Sequence, residues 1–303
     1  MQEQEMIRID SVSTWHKLSN LPSPKHPLIT LVNYSELKEY QKWEGVTFIS
    51  DLYLIMMKEV SSACSLRYGR MNYDYQGKSM LFLAPGQKVT VNYNEEAPNG
   101  WGLSFHPDLI RKSNLATAMK DYTFFSYDTH EALHVSDREK ETITHIVQDI
   151  ENEFSANLDE HSQTLILSQL ELLLNYCKRF YSRQFITREN HNKDVLTRFD
   201  GILHEYFVSG KVTQVGLPTA KYLADAMPYS TNYLNDLLKK ETGKTTLEHI
   251  HSYVIEEAKI LLLSSNNSVV EISQKLGFEY TQNFSRLFKK KTGMSPNEYR
   301  KVS

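Results

Sequence analysis

Two cysteines in 303 residues, Cys64 and Cys177, are too few and too far apart for a disulfide framework, and neither sits in a paired-cysteine motif that would hold zinc. Both are expected to be buried thiols. No apolar run approaches the roughly twenty residues that a membrane-spanning helix needs. The opening MQEQEMIRID is too polar for a secretory signal, so a cytoplasmic protein without a membrane partner is expected. Residues 26–115 offer only His26 and His106 as imidazole ligands, with no paired-histidine strand, so neither a metal centre nor another cofactor is expected. Positive charge is also scarce, the formal net charge being -3. That average conceals a division, with residues 191–303 at +3 and residues 1–190 at -6. Arg286, Lys289, Lys290, Lys291, Arg300 and Lys301 form a local cluster that says more about nucleic acid than either total, although a charge run by itself is usually a solvated face.

What the chain does have is a repeat. Residues 223–245, LADAMPYSTNYLNDLLKKETGKT, return as ISQKLGFEYTQNFSRLFKKKTGMS. Asn232, Leu234, Leu237, Lys239, Lys240, Thr242 and Gly243 stand fifty residues before Gln282, Phe284, Leu287, Lys289, Lys290, Thr292 and Gly293, whereas Leu223 precedes Ile272 by forty-nine. The second turn, Gly277-Phe278-Glu279-Tyr280, is therefore one residue longer. Each copy reads as a short helix, a turn and a second helix, the pattern of a helix-turn-helix that enters the DNA major groove.

The rest of the chain falls into two periods. Strands are expected over 27–115, where Val46–Met57, Leu66–Tyr75, Met80–Leu83 and Trp101–Phe105 are short, rich in branched and aromatic residues, and punctuated by Gly, Asn and Pro. With no helical crossover between them, they predict a small antiparallel barrel or half of a jelly roll. After Ser136 the period changes to 3.6, with Glu139 placed to complete a capping box. One helix carries Ile143, Ile146, Ile150 and Phe154. The next, about 159–181, carries Ile166, Leu170, Leu173, Cys177 and Phe180, flanked by Leu165, Leu167, Leu172 and Leu174. A stripe that wide predicts packing on its own domain together with a homodimer seam, plain intrachain core being the alternative. Polar residues 188–194 are the expected linker. The domains expected are thus 1–135, 136–187 and 195–303, the last all helical with helix-turn-helix units at about 219–241 and 268–292.

Burial separates roles on the second helix of each unit. Leu234, Leu237 and Leu238, then Phe284, Leu287 and Phe288, are expected to hold the helices down. Asn232, Asn235 and Asp236, then Thr281, Gln282 and Arg286, are left facing out as base readers. Lys239, Lys240, Lys289 and Lys290 come late on their helices and suit phosphates. Taken singly, each is as readily an ordinary surface residue; the doubled unit raises the functional reading. Pro228 is expected to hold Met227 extended in the first turn.

Through YLADAMPYSTNYLNDLLKKETGKT, the stretch IEEAKILL at 255–262 and EISQKLGFEYTQNFSRLFKKKTGMSPNEYR at 271–300, the C-terminal hundred residues resemble the DNA-binding domain of the arabinose-operon regulator (AraC/XylS) family of bacterial transcription factors. The resemblance implies two helix-turn-helix units bridged by a long helix and set into successive major grooves, with base-facing positions at the six residues just named. Family members often carry a basic residue where this chain has Asp236, which can accept from cytosine but repels phosphate. More loosely, the N-terminal part resembles the family's cupin-like sensing barrel with paired dimerisation helices. That implies a pocket for a small polar effector, for which His26, Tyr53, Tyr68, Arg70, Trp101 and His106 are the candidate lining, each equally readable as barrel packing. The function expected is a sequence-specific, effector-responsive transcription activator, not an enzyme, that binds double-stranded promoter DNA and contacts RNA polymerase. The alternatives are a constitutive regulator whose barrel only dimerises, and a cupin-type enzyme with a DNA-binding tail.

Overall fold

The structure, a computed structural model, describes residues 6–37, 46–59, 67–68, 71–72, 78–90, 99–128, 131–156, 159–187 and 189–302, by backbone alone at 67–68, 71–72, 187–193 and 302. The chain divides into two compact units, Met1–Gln184 and Phe185–Ser303.

In the first unit the strands are β1 (Met6–Ile9), β2 (Ile29–Asn33), β3 (Thr47–Ser50), β4 (Tyr53–Glu59), β5 (Arg67–Tyr68), β6 (Met71–Asn72), β7 (Lys78–Leu83), β8 (Lys88–Thr90), β9 (Asn99–Phe105) and β10 (Leu133–Val135). Five of them form an antiparallel sheet in the order β10-β7-β4-β9-β2. Ile55 stands between Phe82 and Leu103, and Met57 between Met80 and Trp101. Period two sends all of these to one face. Phe82 on that face packs against Phe124 and Tyr181, with ring centroids 4.5 Å and 6.0 Å away. A second sheet, β1-β3-β8, begins with a parallel pair, and β5 and β6 form a short ribbon.

These sheets correct the expected antiparallel barrel. Among the described residues no closed barrel forms: the larger sheet ends at β10 and β2, and the smaller one is mixed. Four-residue strands such as MIRI carry too little alternation to be seen in sequence, so β1 and its parallel pairing were invisible there.

Helices α1 (Val12–Leu18), α2 (Pro107–Ile110), α3 (Asn114–Ala118), α4 (Asp137–Ser155) and α5 (Ser162–Thr187) complete this unit. The Ser136 hydroxyl accepts from the Glu139 amide and the Glu139 carboxylate accepts from the Ser136 amide, the capping box that starts α4. Ile143, Ile146, Ile150 and Phe154 are buried as the 3.6 period predicts. On α5 the residues expected at a dimer seam are already covered within a single chain. Ile166, Leu170, Leu173, Cys177 and Phe180 are all buried within the chain, and burial pushes the Cys177 thiol well up. Period alone cannot say which neighbour covers a stripe. Leu165 and Leu172, about half exposed, and Ile186 close to the helix end are the large apolar side chains that α5 leaves outside. Near its end Arg183 donates to both Glu139 oxygens, at 3.1 and 2.9 Å, and to the His134 carbonyl, while Gln184 accepts from the His134 amide and donates to the Ala132 carbonyl. These bonds fix the helix to β10 and α4.

The second unit is helical: α6 (Glu189–Val208), α7 (Lys211–Val215), α8 (Ala220–Ala226), α9 (Thr231–Thr242), α10 (Thr246–Ser264), α11 (Val269–Lys275), α12 (Thr281–Thr292) and α13 (Pro296–Val302). The stretch expected as a linker is helical from Glu189 onward, and it holds no proline or glycine to interrupt a helix. Val195, Phe199, Leu203 and Tyr206 line the buried side of α6.

Candidate nucleic-acid interface

Each repeat folds as the sequence says, for identifiable local reasons. In the first, the Thr219 hydroxyl caps α8 by accepting from the Tyr222 amide, and Leu223 and Ala224 are buried. The turn closes when the Met227 and Tyr229 amides both donate to the Ala224 carbonyl at 3.0 Å. Met227 sits at φ -108°, ψ 13°, which corrects the extended geometry expected before Pro228. Its buried side chain and the bond from its own amide to Ala224 override the local preference. Ser230 then caps α9 through the Tyr233 amide.

In the second repeat the Ser268–Glu271 capping box starts α11, and the Phe278 amide donates to the Ser273 carbonyl as Tyr229 does to Ala224. The turn centres on Gly277, at φ +82°. A Cβ there would lie 2.7 Å from both the Val212 side chain and the Val212 carbonyl oxygen, so close approach as well as backbone geometry demands glycine. The additional residue of this turn leaves Tyr280, whose hydroxyl lies too far along the ring to cap as serine or threonine does, at the cap of α12, without a side-chain capping bond and 60 % exposed. Both second helices end on left-handed glycines, Gly243 and Gly293.

Tyr233, Leu234, Leu237 and Leu238 hold α9 down, and Phe284 and Phe288 hold α12. Leu287 is only half-buried. Phe284 packs between Phe278 and Phe288, with centroids 5.4 and 5.8 Å away. Of the six predicted readers, Asn232, Gln282 and Arg286 are exposed. The Arg286 guanidinium reaches Asn283 Oδ1 at 3.2 Å on the same surface. Asp236 is half-buried. Asn235 and Thr281 depart from the outward-facing expectation. Asn235 is half-buried and its Oδ1 accepts the Thr246 amide at 3.2 Å, while the Thr281 hydroxyl bonds to the buried Ser273 hydroxyl at 2.8 Å. Both positions follow a helical face that sequence assigns to solvent, but each has a polar partner on an adjoining helix.

Lys239, Lys240, Lys289 and Lys290 are all exposed, as is Lys291. The amide of Thr245 chiefly, and the fields of Lys291 and Lys239 in addition, hold the Glu248 carboxyl below its usual range. The Ser295 amide, with Lys289 and Lys301, does the same for Glu298 fifty residues on. Burial first, then Lys291 and Lys290, depresses His251 on α10. Positive charge from both reader helices therefore converges on the same stretch of α10. Arg300, one of the basic cluster, is turned inward instead. It donates from Nε to the Leu262 carbonyl at 3.1 Å and from its terminal nitrogen to the Asn267 carbonyl at 2.6 Å, closing the C-terminal end of α10. Tyr280 is the residue on this surface that sequence reading passed over; its signal was the longer second turn.

The effector candidates in the first unit have local partners. His26 accepts the Leu28 amide and His106 caps α2 by accepting the Asp108 amide, at 3.1 and 3.2 Å. Tyr53 stacks on Phe105 at 5.0 Å. The His106 amide donates to the Leu28 carbonyl, so His26, Tyr53 and His106 share one end of the sheet. Trp101 lies towards the other end of β9, buried, its indole nitrogen without a partner. The side chain of Tyr68, together with Arg70 and Cys64, lies outside the described residues. Among the described residues no three His, Cys, Asp or Glu side chains gather as metal ligands, and no helix is long and apolar enough to cross a membrane.

A family model described as a helix-turn-helix domain matches residues 223–302. An HTH-type transcriptional regulator of Bacillus subtilis, YobQ, is 39% identical over 82 residues, 27% of this chain and 34% of that protein. The xylose operon regulatory protein of Escherichia coli K12 is 39% identical over 79 residues, 26% of this chain and 20% of that protein. Among solved structures, the C-terminal domain of the two-component response regulator yesN from Fusobacterium nucleatum is 28% identical, with a TM-score of 0.32, covering 35% of this chain and 98% of that one. The matches to the curated relatives thus span about a third or less of those proteins' length, and the family model falls on the paired helix-turn-helix units. Residues 223–302 thus form a helix-turn-helix domain of the AraC type, similar to the domain found in these regulators.

Proposed function

We propose that the protein is a sequence-specific transcription regulator that grips duplex promoter DNA with α9 and α12. The observation that carries this reading is the duplicated surface: two helices of equal length, each seated by buried apolar residues and exposing polar side chains early and lysines late. Asn232, Gln282 and Arg286 are the proposed base readers, Arg286 gripping guanine and Gln282 pairing with adenine. Lys239, Lys240, Lys289 and Lys290 engage phosphates, where position along the helix matters more than side-chain precision. Asp236 in place of the basic residue common in the family makes the first unit the weaker phosphate binder. Selection of bound duplexes from a random pool by the full chain tests the reading. The expected result is a site with two blocks of preferred bases about one helical turn apart; a pool that stays random after repeated rounds refutes it.

A homodimer through α5 uses Leu165 and Leu172, seven residues apart on the exposed side, because Ile166, Leu170, Leu173, Cys177 and Phe180 are already covered within one chain. Sedimentation of the full chain and of Leu172→Glu tests this, a monomer at all concentrations counting against it.

A further inference from the structure

The two units are alike in backbone but not in how their reader helices are fastened. In the first, the Asn235 side-chain oxygen accepts the amide of Thr246, the first residue of α10. The donor is a backbone N–H, so the amide orientation is settled: Oδ1 must face it. Thr242 near the end of α9 adds a second tie, its hydroxyl 2.8 Å from His249 Nε2 on α10. Fifty residues on, the counterparts of Asn235 and Thr246 are Ser285 and Pro296. Proline has no N–H, so the second unit cannot make this bond at all. The flanking design is otherwise kept, since Thr245–Glu248 and Ser295–Glu298 form matching caps.

We propose, building on the DNA-reading function above, that Asn235 is a positioning residue and not a base reader: it sets the pitch of α9 by holding it to α10. Bidentate pairing with adenine needs Oδ1 and Nδ2 together on the base edge. Here Oδ1 is committed to Thr246 and the side chain is half-buried. The bond acts on the helix carrying Asn232, so its loss alters base preference in the block read by the first unit while leaving the block read by the second unit unchanged. Thr246 is buried and its hydroxyl has no partner, so a proline at this first helical position removes the amide donor without removing a used side-chain bond.

The test is a double-mutant cycle on the full chain, with Asn235→Ser, Thr246→Pro and both together, each giving its counterpart from the second unit. Duplexes selected by the wild type are compared with duplexes scrambled in one block or the other, and thermal melts are recorded alongside. Each single variant is expected to lower discrimination at the first block about two- to tenfold, the range of one lost hydrogen bond. The double variant is expected to lose no more than either single, with discrimination at the second block nearly unchanged and the melt lowered by no more than the loss of that one hydrogen bond. A further loss from Asn235→Ser in the Thr246→Pro background would show that Asn235 touches DNA itself and overturn the proposal. Discrimination left intact by either single variant overturns it as well, and so does an equal loss at both blocks. If the wild type selects no sequence, the DNA-reading function fails and this proposal with it.

Discussion

Replacing Arg300 by alanine separates two roles that its sequence position makes equally attractive. If it belongs to the phosphate-binding cluster, its loss lowers affinity for all duplexes and flattens the salt dependence by about one ion. The structure points elsewhere. Its guanidinium donates to the carbonyls of Leu262 and Asn267, at 3.1 and 2.6 Å, and is half-buried. Hydrogen bonds from a charged donor contribute about 1.5 to 3 kcal/mol each when shielded. Partial solvent screening reduces that, so roughly 2 kcal/mol in total is a fair expectation for the pair. For a unit of this size such a loss lowers Tm on the order of 10 °C. Lysine, a point charge without the planar fork, is expected to restore at most one of the two bonds. The assays are a thermal melt of the full chain, following the C-terminal unit, and the salt dependence of binding to a selected duplex. The expected pair of results is a destabilised unit with an unchanged salt slope. An unshifted melt together with a slope reduced by about one would refute the assignment and return Arg300 to the phosphate contacts.

Phe284→Ala is expected to cost about 3 to 5 kcal/mol, since the ring is fully buried between Phe278 and Phe288, and a denaturant melt reads it directly. Arg286→Ala is expected to leave that melt in place but relax choice at one or two base pairs by about 1 to 3 kcal/mol, measured on matched and mismatched duplexes; equal losses on both would remove it from the readers. Lys290→Ala should weaken selected and random duplexes alike and lower the salt slope by about one. Acid should destabilise the C-terminal unit in two stages. Burial depresses His249 and His251 in the fold, so the unfolded chain takes up their protons first and stability falls as pH drops below about 6.5. Capping bonds depress Glu248, Glu271 and Glu298, so their contribution, present above about pH 4.3, is lost as pH falls through their folded values. Urea melts from pH 7.5 to 3.5 check both stages, and stability that rises between pH 7 and 5.5 would contradict the first.

Sequence by itself determined what local physics controls. The capping boxes at Ser136 and Ser268, the glycine ends at Gly243 and Gly293, and the buried stripes of α4, α9 and α12 all depend on neighbours within a turn or two. The doubled pattern carried the DNA-binding reading because each copy had to meet the same local demands. Tertiary structure decided whatever depends on a partner far along the chain. The α5 stripe is core because the rest of the chain covers it, and among the described residues the strands stop short of a closed barrel because the larger sheet ends at β10 and β2 without pairing them. Asn235, Thr281 and Arg300 look like outward-facing polar residues by period, yet each is bound to an adjoining helix. A helical period fixes the direction a side chain leaves its own helix, and only the packed neighbours fix whether water, DNA or another backbone is waiting there.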